Sequence, residues 1–234
     1  MFSKTACYYD KLYSFKDYRA ETDRLLDLLN LQVQDKKPTL LDVACGTGHH
    51  LEYLRAHFDC QGLDLDPILL RVAQERAPRL TFHQGDMTDF SLGYTFDVVT
   101  CLFSSIGYVK TVDRLKQAAV CMARHLAPGG TLVIEPWFTP EDWHPGTVHA
   151  LLVDEPELKI ARVSTSMVNG RISYFDMHYL VATPQGTEHL VERHELGLFE
   201  REEMLAAFED AGLQAAYDAD GLTGRGLYIA QKSA

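Results

Sequence analysis

The sequence of 234 residues lacks several features that would assign a protein to a class at once. No apolar run approaches the ~18 residues that a membrane-spanning helix needs, and no apolar stretch of signal-peptide length follows residues 1–4. There is no cluster of Lys or Arg, and the net charge is −11. These absences predict a chain without a membrane span and argue against DNA, RNA or an anionic membrane as its main partner.

The cysteines also lack the spacing that would make them functional. There are five, an odd number, and no two form a Cys-x-x-Cys pair. Most of them lie in apolar runs that are typical of buried strands or helices. Neither a disulfide framework nor a zinc site is therefore expected, and a reducing cytoplasm fits best. Apart from the weak His144–His149 neighbourhood, the ten histidines show no metal-ligand spacing, and no metal is predicted.

The most informative stretch that is present is residues 39–51. An apolar run of the length of a buried strand leads into a small-residue loop with Gly46 and Gly48, and a helical pattern follows. Glycine lacks a Cβ, so the backbone can turn sharply and a ligand can come close. Asp64 ends the next apolar run, about 20 residues past the loop, where nucleotide-binding α/β folds place an acid for ribose hydroxyls.

The loop departs from the dinucleotide fingerprint Gly-x-Gly-x-x-Gly. It reads Ala44-x-Gly46-x-Gly48, with Asp42 on the preceding strand and no third glycine. Both differences argue against NAD and suit a ligand that has a ribose but no pyrophosphate. For the loop alone, a plain strand–turn–helix with incidental glycines is the alternative. The pattern resembles motif I of class I S-adenosylmethionine-dependent methyltransferases.

The order of strand and helix patterns predicts an α/β fold with a Rossmann-like, doubly wound, mostly parallel sheet. The predicted core consists of a helix over 17–30, a strand over 39–43, a helix over 48–57, a strand over 60–64, a helix over 66–75, strands over 80–84 and 96–102, a helix over 111–125, a turn over 126–130 and a strand over 131–135. This is a β-α unit repeated five times. Ligands bind outside the carboxyl ends of such strands, where Asp64, Asp86 and residues 135–137 also fall.

After residue 146 the helical period gives way to strand-like alternation. Asn169-Gly170 is a strong hairpin signal, and residues 183–186 form another turn pattern. We therefore predict three or four antiparallel strands inserted after the fifth strand, as a lid over the crevice, an oligomer contact or both, and not as an independent domain. The resulting segments are a core of residues 1–146 and 197–234, an insert of residues 147–196, a helix over 200–211 and closing strands near 213–217 and 226–231.

Three of the strand-end residues suggest cofactor chemistry. The Asp64 carboxylate can accept hydrogen bonds from both ribose hydroxyls, and Asp86 could accept one from an adenine amino group beside Met87. The alternative for Asp86 is a turn cap, since Gly-Asp is turn-prone. Leu102 covers the ligand or belongs to the plain core. A sulfonium methyl is already activated, so holding the acceptor atom in line within a dry pocket supplies most of the catalysis.

Motifs along the whole chain restrict the resemblance to a smaller family of methyltransferases. The motifs that carry it are Tyr9-Asp10-Lys11-Leu12-Tyr13, Lys16-Asp17-Tyr18, Leu41–Gly48, His83–Phe90, Phe103-Ser104-Ser105-Ile106-Gly107-Tyr108, Glu135-Pro136-Trp137 and Gly224-Arg225-Gly226-Leu227. Together they resemble the sugar N,N-dimethyltransferases that make desosamine and mycaminose for macrolides. Two departures are Tyr108, where some members carry a histidine proposed as a base, and Thr165, which replaces a histidine.

This resemblance implies one set of residues that bind the cofactor and another that binds the acceptor. It implies that Tyr18, Ala44, Asp64, Asp86, Met87 and Leu102, beside Asp42, Gly46 and Gly48 of the loop, bind S-adenosylmethionine, and that Tyr13, Glu135, Trp137, Arg162, Ser166 and Arg225 face the nucleotide-linked sugar. Tyr13 would position the amine. Arginine is a suitable diphosphate partner, although a surface ion pair is the alternative for Arg162 and Arg225. A homodimer is also implied.

The function that follows is N-methylation of the amino group of a nucleotide-linked deoxyamino sugar, for example a dTDP-amino sugar, with S-adenosylhomocysteine as the second product. Three alternatives stay open at the level of sequence. One is O- or N-methylation of another natural product. The others are a noncatalytic binding module on a methyltransferase fold and an NAD(P) oxidoreductase.

Overall fold

The computed structural model describes residues 5–29 and 36–234. The first part contains the helices α1 (Tyr9–Leu12), α2 (Tyr18–Leu29), α3 (His49–Leu54), α4 (Pro67–Arg76) and α5 (Val112–Arg124), and the strands β1 (Thr39–Val43), β2 (Asp59–Asp64), β3 (Thr81–Gln84), β4 (Phe96–Cys101) and β5 (Leu126–Ile134). The second part contains β6 (Val148–Glu155), β7 (Leu158–Thr165), β8 (Met167–Asn169), β9 (Ile172–Thr183), β10 (Gly186–Gly197), α6 (Arg201–Asp210), β11 (Leu213–Asp218) and β12 (Leu227–Lys232). Short 3-10 segments cover residues 6–8 and 105–109.

The central sheet has seven strands in the order β11-β12-β5-β4-β1-β2-β3. Strands β1 to β5 run parallel, and β12 is antiparallel to both β5 and β11. Adjacent residues point to opposite faces of a strand, and both faces are covered here. Leu41 and Val99 pack with α5 and α6, whereas Leu40 and Val98 pack with α2 and α3. The predicted Rossmann-like doubly wound sheet is confirmed, and its double coverage explains the continuous apolar runs.

Several element bounds follow local capping chemistry. The α4 helix begins as predicted, because the Asp66 carboxylate accepts hydrogen bonds from the backbone N–H groups of Ile68 (2.8 Å) and Leu69 (3.4 Å), with Pro67 at the first position. The α3 helix is shorter than predicted. Its end is tightened by an i→i−3 bond from His57 N–H to the Leu54 carbonyl, which turns the chain toward β2.

Two predictions about the core are wrong. Residues 85–95 between β3 and β4 hold a turn and no helix, so the β-α unit is not repeated at this step. The predicted turn over 126–130 belongs to β5, which pairs with β4 on both sides of an irregularity. Gly130 permits this, since a Cβ there would lie 2.9–3.2 Å from three carbonyl oxygens. The strand therefore continues through a sequence that locally favours a turn.

The insert forms a second, antiparallel sheet in the order β10-β9-β7-β6, with β8 paired to β9. It has five strands where three or four were predicted, and the turns at 169–171 and 183–186 lie where predicted. One face packs on the N-terminal segment through a cluster that includes Leu12, Tyr13 and Tyr179. The division into core and insert as domains stays a prediction. Among the described residues, no helix is long and apolar enough to cross a membrane.

Candidate active site

The glycine loop after β1 is held in an unusual backbone conformation. Ala44, Gly46 and Gly48 all have left-handed φ angles, of 59°, 56° and 75°. A Cβ on Gly46 would meet no atom within 4 Å, so this glycine leaves open space in front of the loop. A Cβ on Gly48 would lie 3.2 Å from the Cβ of Ala73 on α4. The two predicted glycines therefore differ: Gly46 lines a cavity, whereas Gly48 allows the helices to pack closely.

Asp64, at the end of β2, is 8% exposed and anchored by backbone donors. Its Oδ2 accepts a hydrogen bond from Gly46 N–H at 2.8 Å, and its Oδ1 accepts one from Asp66 N–H at 2.9 Å. Burial raises the pKa of this carboxyl, although the backbone donors act in the opposite direction. Each oxygen keeps a further lone pair for a ligand.

The first of three adjoining cavities, which we call the acidic cavity, opens at the carboxyl ends of β1, β2 and β3. Asp64 and Asp86 supply its carboxylates, and Leu65, Leu69 and Met87 supply apolar walls. Apolar walls with a few directed acceptors are typical of sites for small ligands. This arrangement fits a flat base joined to a ribose.

Asp86 is both a turn cap and a cavity residue. Its Oδ1 accepts hydrogen bonds from the Thr88 N–H (2.9 Å) and hydroxyl (2.7 Å), and its Oδ2 accepts one from Arg114 (2.9 Å). Burial acts to raise the pKa of Asp86, but the bonds from Thr88 and Arg114 outweigh it and the pKa lies below its ordinary value. The carboxylate is thus ionised and fixed in direction.

The second cavity, the glycine-loop cleft, lies on the other side of Ala44 and Gly46. It is lined by Tyr18, Asp42 and Leu102, among others. Asp42 is buried, and its Oδ1 accepts a hydrogen bond of 2.7 Å from the Thr100 hydroxyl. Burial raises its pKa to about 6. A buried acid beside a cleft suits a cationic group of a ligand.

An N-terminal strap, residues 5–29, closes over the glycine-loop cleft. The Asp10 carboxylate accepts a hydrogen bond of 2.7 Å from Thr47 in the loop and pairs with Arg76 of α4. Glu21, which is 6% exposed, lies 2.9 Å from His50 and also pairs with Lys16. Burial opposes ionisation of Glu21, but His50 and Lys16 together keep its pKa below the ordinary value.

The strap thereby places Tyr13 and Tyr18 at the site. Tyr18 stacks on His49, with ring centroids 4.5 Å apart and planes 14° from parallel. Tyr13 meets the edge of Phe103 at 5.3 Å between centroids. The buried pairs of Glu21 with Lys16 and His50 favour one arrangement of the strap, because separating them leaves charge in a dry environment.

The third cavity, of about 380 Å³, lies between the core and the insert, and we call it the arginine cavity. Arg162 on β7 donates a hydrogen bond of 3.3 Å to the Tyr13 hydroxyl, and Arg225 donates one of 2.9 Å to Ser104. The Arg225 guanidinium carbon is 5.7 Å from the centroid of the Trp137 ring. Among the described residues, neither arginine has a carboxylate in salt-bridge range, in contrast to the paired Arg76.

Two guanidinium groups in one cavity, without a carboxylate partner among the described residues, favour an anion as the ligand. Their fork geometry matches phosphate oxygens. Ser166, also predicted, lines the same cavity and lies 3.1 Å from His149. The ion-pair alternative for Arg162 and Arg225 therefore finds no support in the described residues. Thr165, one of the departures, lines a different surface and does not reach this cavity.

Glu135, like Gly48, is a predicted residue that lines none of the three cavities. It is fully buried, and its Oε2 accepts a hydrogen bond of 2.6 Å from the Phe103 N–H. Its Oε1 accepts one of 2.9 Å from the Thr223 hydroxyl, two residues before Arg225. The carboxylate thus joins the end of β4 to the C-terminal loop.

Sequence reasoning missed four residues of the site. Tyr9 and Ser105 line all three cavities, so the cavities meet at these two side chains. Tyr108 lines the acidic and arginine cavities, and its hydroxyl lies 2.7 Å from His194 of the insert. Tyr9, Ser105 and Tyr108 fall inside motifs that carried the resemblance, whereas nothing in the sequence marks His194.

The described residues contain no group of three or more His, Cys, Asp or Glu side chains that could hold a metal ion.

A family model described as a methyltransferase domain matches residues 40–130. The chain is 43% identical over 216 residues, covering 92% of this chain and 91% of the relative, to the dTDP-3-amino-3,4,6-trideoxy-α-D-glucopyranose N,N-dimethyltransferase of Streptomyces venezuelae.

Solved structures agree with this relationship. The crystal structure of DesVI from Streptomyces venezuelae is similar with a TM-score of 0.90 and 42% identity, covering 98% of both chains. The structure of CalS10 with bound S-adenosylmethionine, an amino pentose methyltransferase from Micromonospora echinaspora, has a TM-score of 0.83 and 41% identity, covering 93% and 92% of the chains. By its motifs, its fold and these relatives, the chain belongs to the S-adenosylmethionine-dependent sugar N,N-dimethyltransferases.

Proposed function

We propose that the protein binds S-adenosylmethionine in the acidic cavity and the glycine-loop cleft, and methylates the amino group of a nucleotide-linked deoxyamino sugar held in the arginine cavity. The observation that carries this proposal is the meeting of the three cavities at Tyr9 and Ser105. A nucleoside site and an anion site that share a wall can bring two reactants together. Holding them in line is the main source of rate in this chemistry.

On the cofactor side, each cavity suits one part of the molecule. Asp64 accepts hydrogen bonds from the ribose hydroxyls, and Asp86 and Met87 hold the adenine. Asp42 and Tyr18 in the cleft suit the methionine end, whose ammonium group the buried carboxylate attracts. When bound, S-adenosylmethionine supplies an activated methyl group, which forms a bond to the acceptor nitrogen as its bond to sulfur breaks and sulfur keeps the electron pair.

On the acceptor side, Arg162 and Arg225 bind the diphosphate while Tyr13, Trp137 and Ser166 contact the sugar. The names of the relatives support this class of acceptor, since they act on dTDP-linked amino sugars. The aromatic walls exclude water from the reacting centre. The amine must be neutral to attack, and after transfer the new ammonium group releases its proton to solvent.

Glu135 acts on this site indirectly in our proposal. By holding both Phe103 and Thr223, it fixes the loop from which Arg225 reaches the arginine cavity. It is therefore a positioning residue and does not touch the sugar. The fully buried carboxylate would leave two donors unsatisfied if it were removed.

The test is an acceptor assay with S-adenosylmethionine and dTDP-3-amino-3,4,6-trideoxyglucose or related dTDP-amino sugars, read by mass for the gain of one or two methyl groups. Arg162→Glu and Arg225→Glu should each lower kcat/KM by roughly 100-fold or more, because a charged contact to the diphosphate becomes repulsive. The control is Arg79→Glu, the same change at an exposed residue that lines none of the cavities.

Turnover that is unaffected by both substitutions would exclude a diphosphate at this place. If the enzyme transfers no methyl group to any nucleotide amino sugar but does methylate an amine that carries no phosphate, its acceptor belongs to a different class. Retained S-adenosylmethionine affinity in the Arg variants separates an acceptor effect from a folding defect.

We further infer a homodimer through the outer face of the insert. Val148, Leu152 and Leu180 there are 75%, 78% and 52% exposed, and apolar side chains grouped on one sheet face favour an interface. Light scattering of the protein in solution tests this, with Leu152→Lys expected to shift the mass toward the monomer. The cytoplasmic location stays a prediction, in keeping with five free cysteines, four of them buried.

A further inference from the structure

A polar pair, Tyr108 and His194, joins the core to the insert at the wall of the arginine cavity. Tyr108 lies in the 3-10 segment that follows β4, and His194 lies on β10. The Tyr108 Oη and the His194 Nδ1 are 2.7 Å apart. Tyr108 lines both the acidic cavity and the arginine cavity, so it stands at the wall that the proposed cofactor and acceptor sites share.

The imidazole of His194 is held rigidly. It is 1% exposed and stacks on Phe175, with centroids 5.6 Å apart and planes 17° from parallel. Phe175 is also its direct partner across the β9–β10 ladder. The ring therefore has a fixed direction, which it imposes on the hydroxyl group that it contacts.

The protonation states leave two directions for this hydrogen bond, and the ring nitrogen that carries the imidazole proton decides between them. Burial, reinforced by Arg162, lowers the pKa of His194 to about 3, so the imidazole is neutral at pH 7. Burial raises the pKa of Tyr108, so the phenol keeps its proton. With the imidazole proton on Nε2, the Tyr108 hydroxyl donates to Nδ1 and the phenol oxygen keeps its lone pairs for another donor.

We infer that His194 carries its imidazole proton on Nε2 and is a positioning residue for methyl transfer, because its Nδ1 then accepts the Tyr108 proton and the phenol oxygen is left to accept a hydrogen bond from the amine N–H. This rests on the proposed function. A hydroxyl group that is free to rotate would instead donate to the nitrogen lone pair, the electron pair that must attack the methyl carbon. His194 thus keeps the nucleophile available and correctly oriented.

The test compares His194→Phe, Tyr108→Phe and the double variant with the wild type. His194→Phe preserves the ring stack but frees the hydroxyl group, and we expect kcat to fall roughly 100-fold, the scale of a misplaced reactant. Tyr108→Phe loses one hydrogen bond and should cost about 10-fold. The double variant has no hydroxyl group to block the amine, so its kcat should recover to near that of Tyr108→Phe.

Recovery on adding a second substitution is a result that a purely structural role does not give. His194→Asn, whose amide oxygen can accept near the Nδ1 position, should retain kcat within about 10-fold of wild type. The KM for S-adenosylmethionine should stay within about 3-fold in the variants that change His194 alone, since His194 does not line the acidic cavity. If His194→Phe does not fold, His194→Leu takes its place in the same cycle.

A wild-type kcat in His194→Phe, or a double variant that is slower than either single one, would overturn the inference. These results are distinct from a failure of the proposed function, in which the wild-type enzyme itself transfers no methyl group to a nucleotide amino sugar.

Discussion

The substitution Asp64→Asn tests the cofactor site most directly. The backbone N–H groups of Gly46 and Asp66 hold the two oxygens of Asp64, which lines the acidic cavity. Asparagine has the same shape but loses the charge and replaces one acceptor oxygen by a donor. We expect the fold to persist and the affinity for S-adenosylmethionine to fall.

The magnitude follows from the hydrogen bonds involved. Bonds to a charged group contribute about 1.5–3 kcal/mol and neutral ones about 0.5–1.5 kcal/mol. Weakening two ribose bonds by this difference, or losing one and weakening the other, costs about 2–4 kcal/mol. At about 1.4 kcal/mol for each factor of ten, Kd should rise roughly 30- to 1,000-fold.

Titration calorimetry with S-adenosylmethionine or S-adenosylhomocysteine measures this change. Asp66→Asn is the matched control, because it makes the same substitution two residues away at a helix cap that asparagine also satisfies. Its Kd should change by less than about 3-fold. Equal affinities of Asp64→Asn and the wild type would refute the ribose assignment.

The same site has a pH signature. The pKa of Asp64 is raised, and the ionised form is the one that binds ribose hydroxyls. On acidification, the affinity of the wild type should therefore weaken at a higher pH than it would with an aspartate of ordinary pKa. The Asp64→Asn variant should lack this dependence.

Three further predictions concern single residues. Gly46→Ala places a Cβ in the open cavity at φ 56°, so both the melting temperature, through about 1–2 kcal/mol of strain, and cofactor affinity should fall in melting and calorimetric assays. Asp42 has its pKa raised by burial from 3.8 to about 6, so its contribution to stability is present below pH 3.8 and lost as pH rises through 6. Asp42→Asn, which can still accept from Thr100, should therefore be more stable than the wild type in urea by up to about 3 kcal/mol at pH 8, with the gain vanishing at pH 3; an equal gain at both values would contradict this. Burial lowers the pKa of His194 from 6.5 to about 3, so its contribution to the free energy of unfolding is present above pH 6.5 and is lost on acidification. Between pH 6.5 and 4, His194→Phe should therefore lose less stability than the wild type, by up to about 1.4 kcal/mol per pH unit.

Sequence patterns predicted the elements that are set by local chemistry. The β1 strand spans the predicted residues because its apolar run is buried on both faces, and α4 begins where Asp66 and Pro67 supply a cap. The turn predicted before the fifth strand is instead a bulge inside β5, because Leu126 and Thr131 on either side of it both pair with β4. Local signals fail where a tertiary partner satisfies the backbone in another way.

Side-chain roles follow the same division. Asp64 was identifiable because its distance from the glycine loop is fixed by one β-α-β unit, which places both at the same sheet edge. Gly48 and Glu135 were assigned to ligands from motifs, yet Gly48 packs against Ala73 and Glu135 joins Phe103 to Thr223. A motif identifies a residue that matters but does not reveal which neighbour it meets.

The sequence by itself therefore determined the class of this protein: an α/β methyltransferase whose strand ends carry a nucleoside-binding loop and acids. Those features depend on short-range periodicity and fixed spacing. Only the tertiary structure decided that three cavities meet at Tyr9 and Ser105, that two arginines from distant segments share one of them, and that His194 reaches Tyr108. These contacts join residues far apart in the chain, and their geometry exists only once the insert and the N-terminal strap have packed on the core.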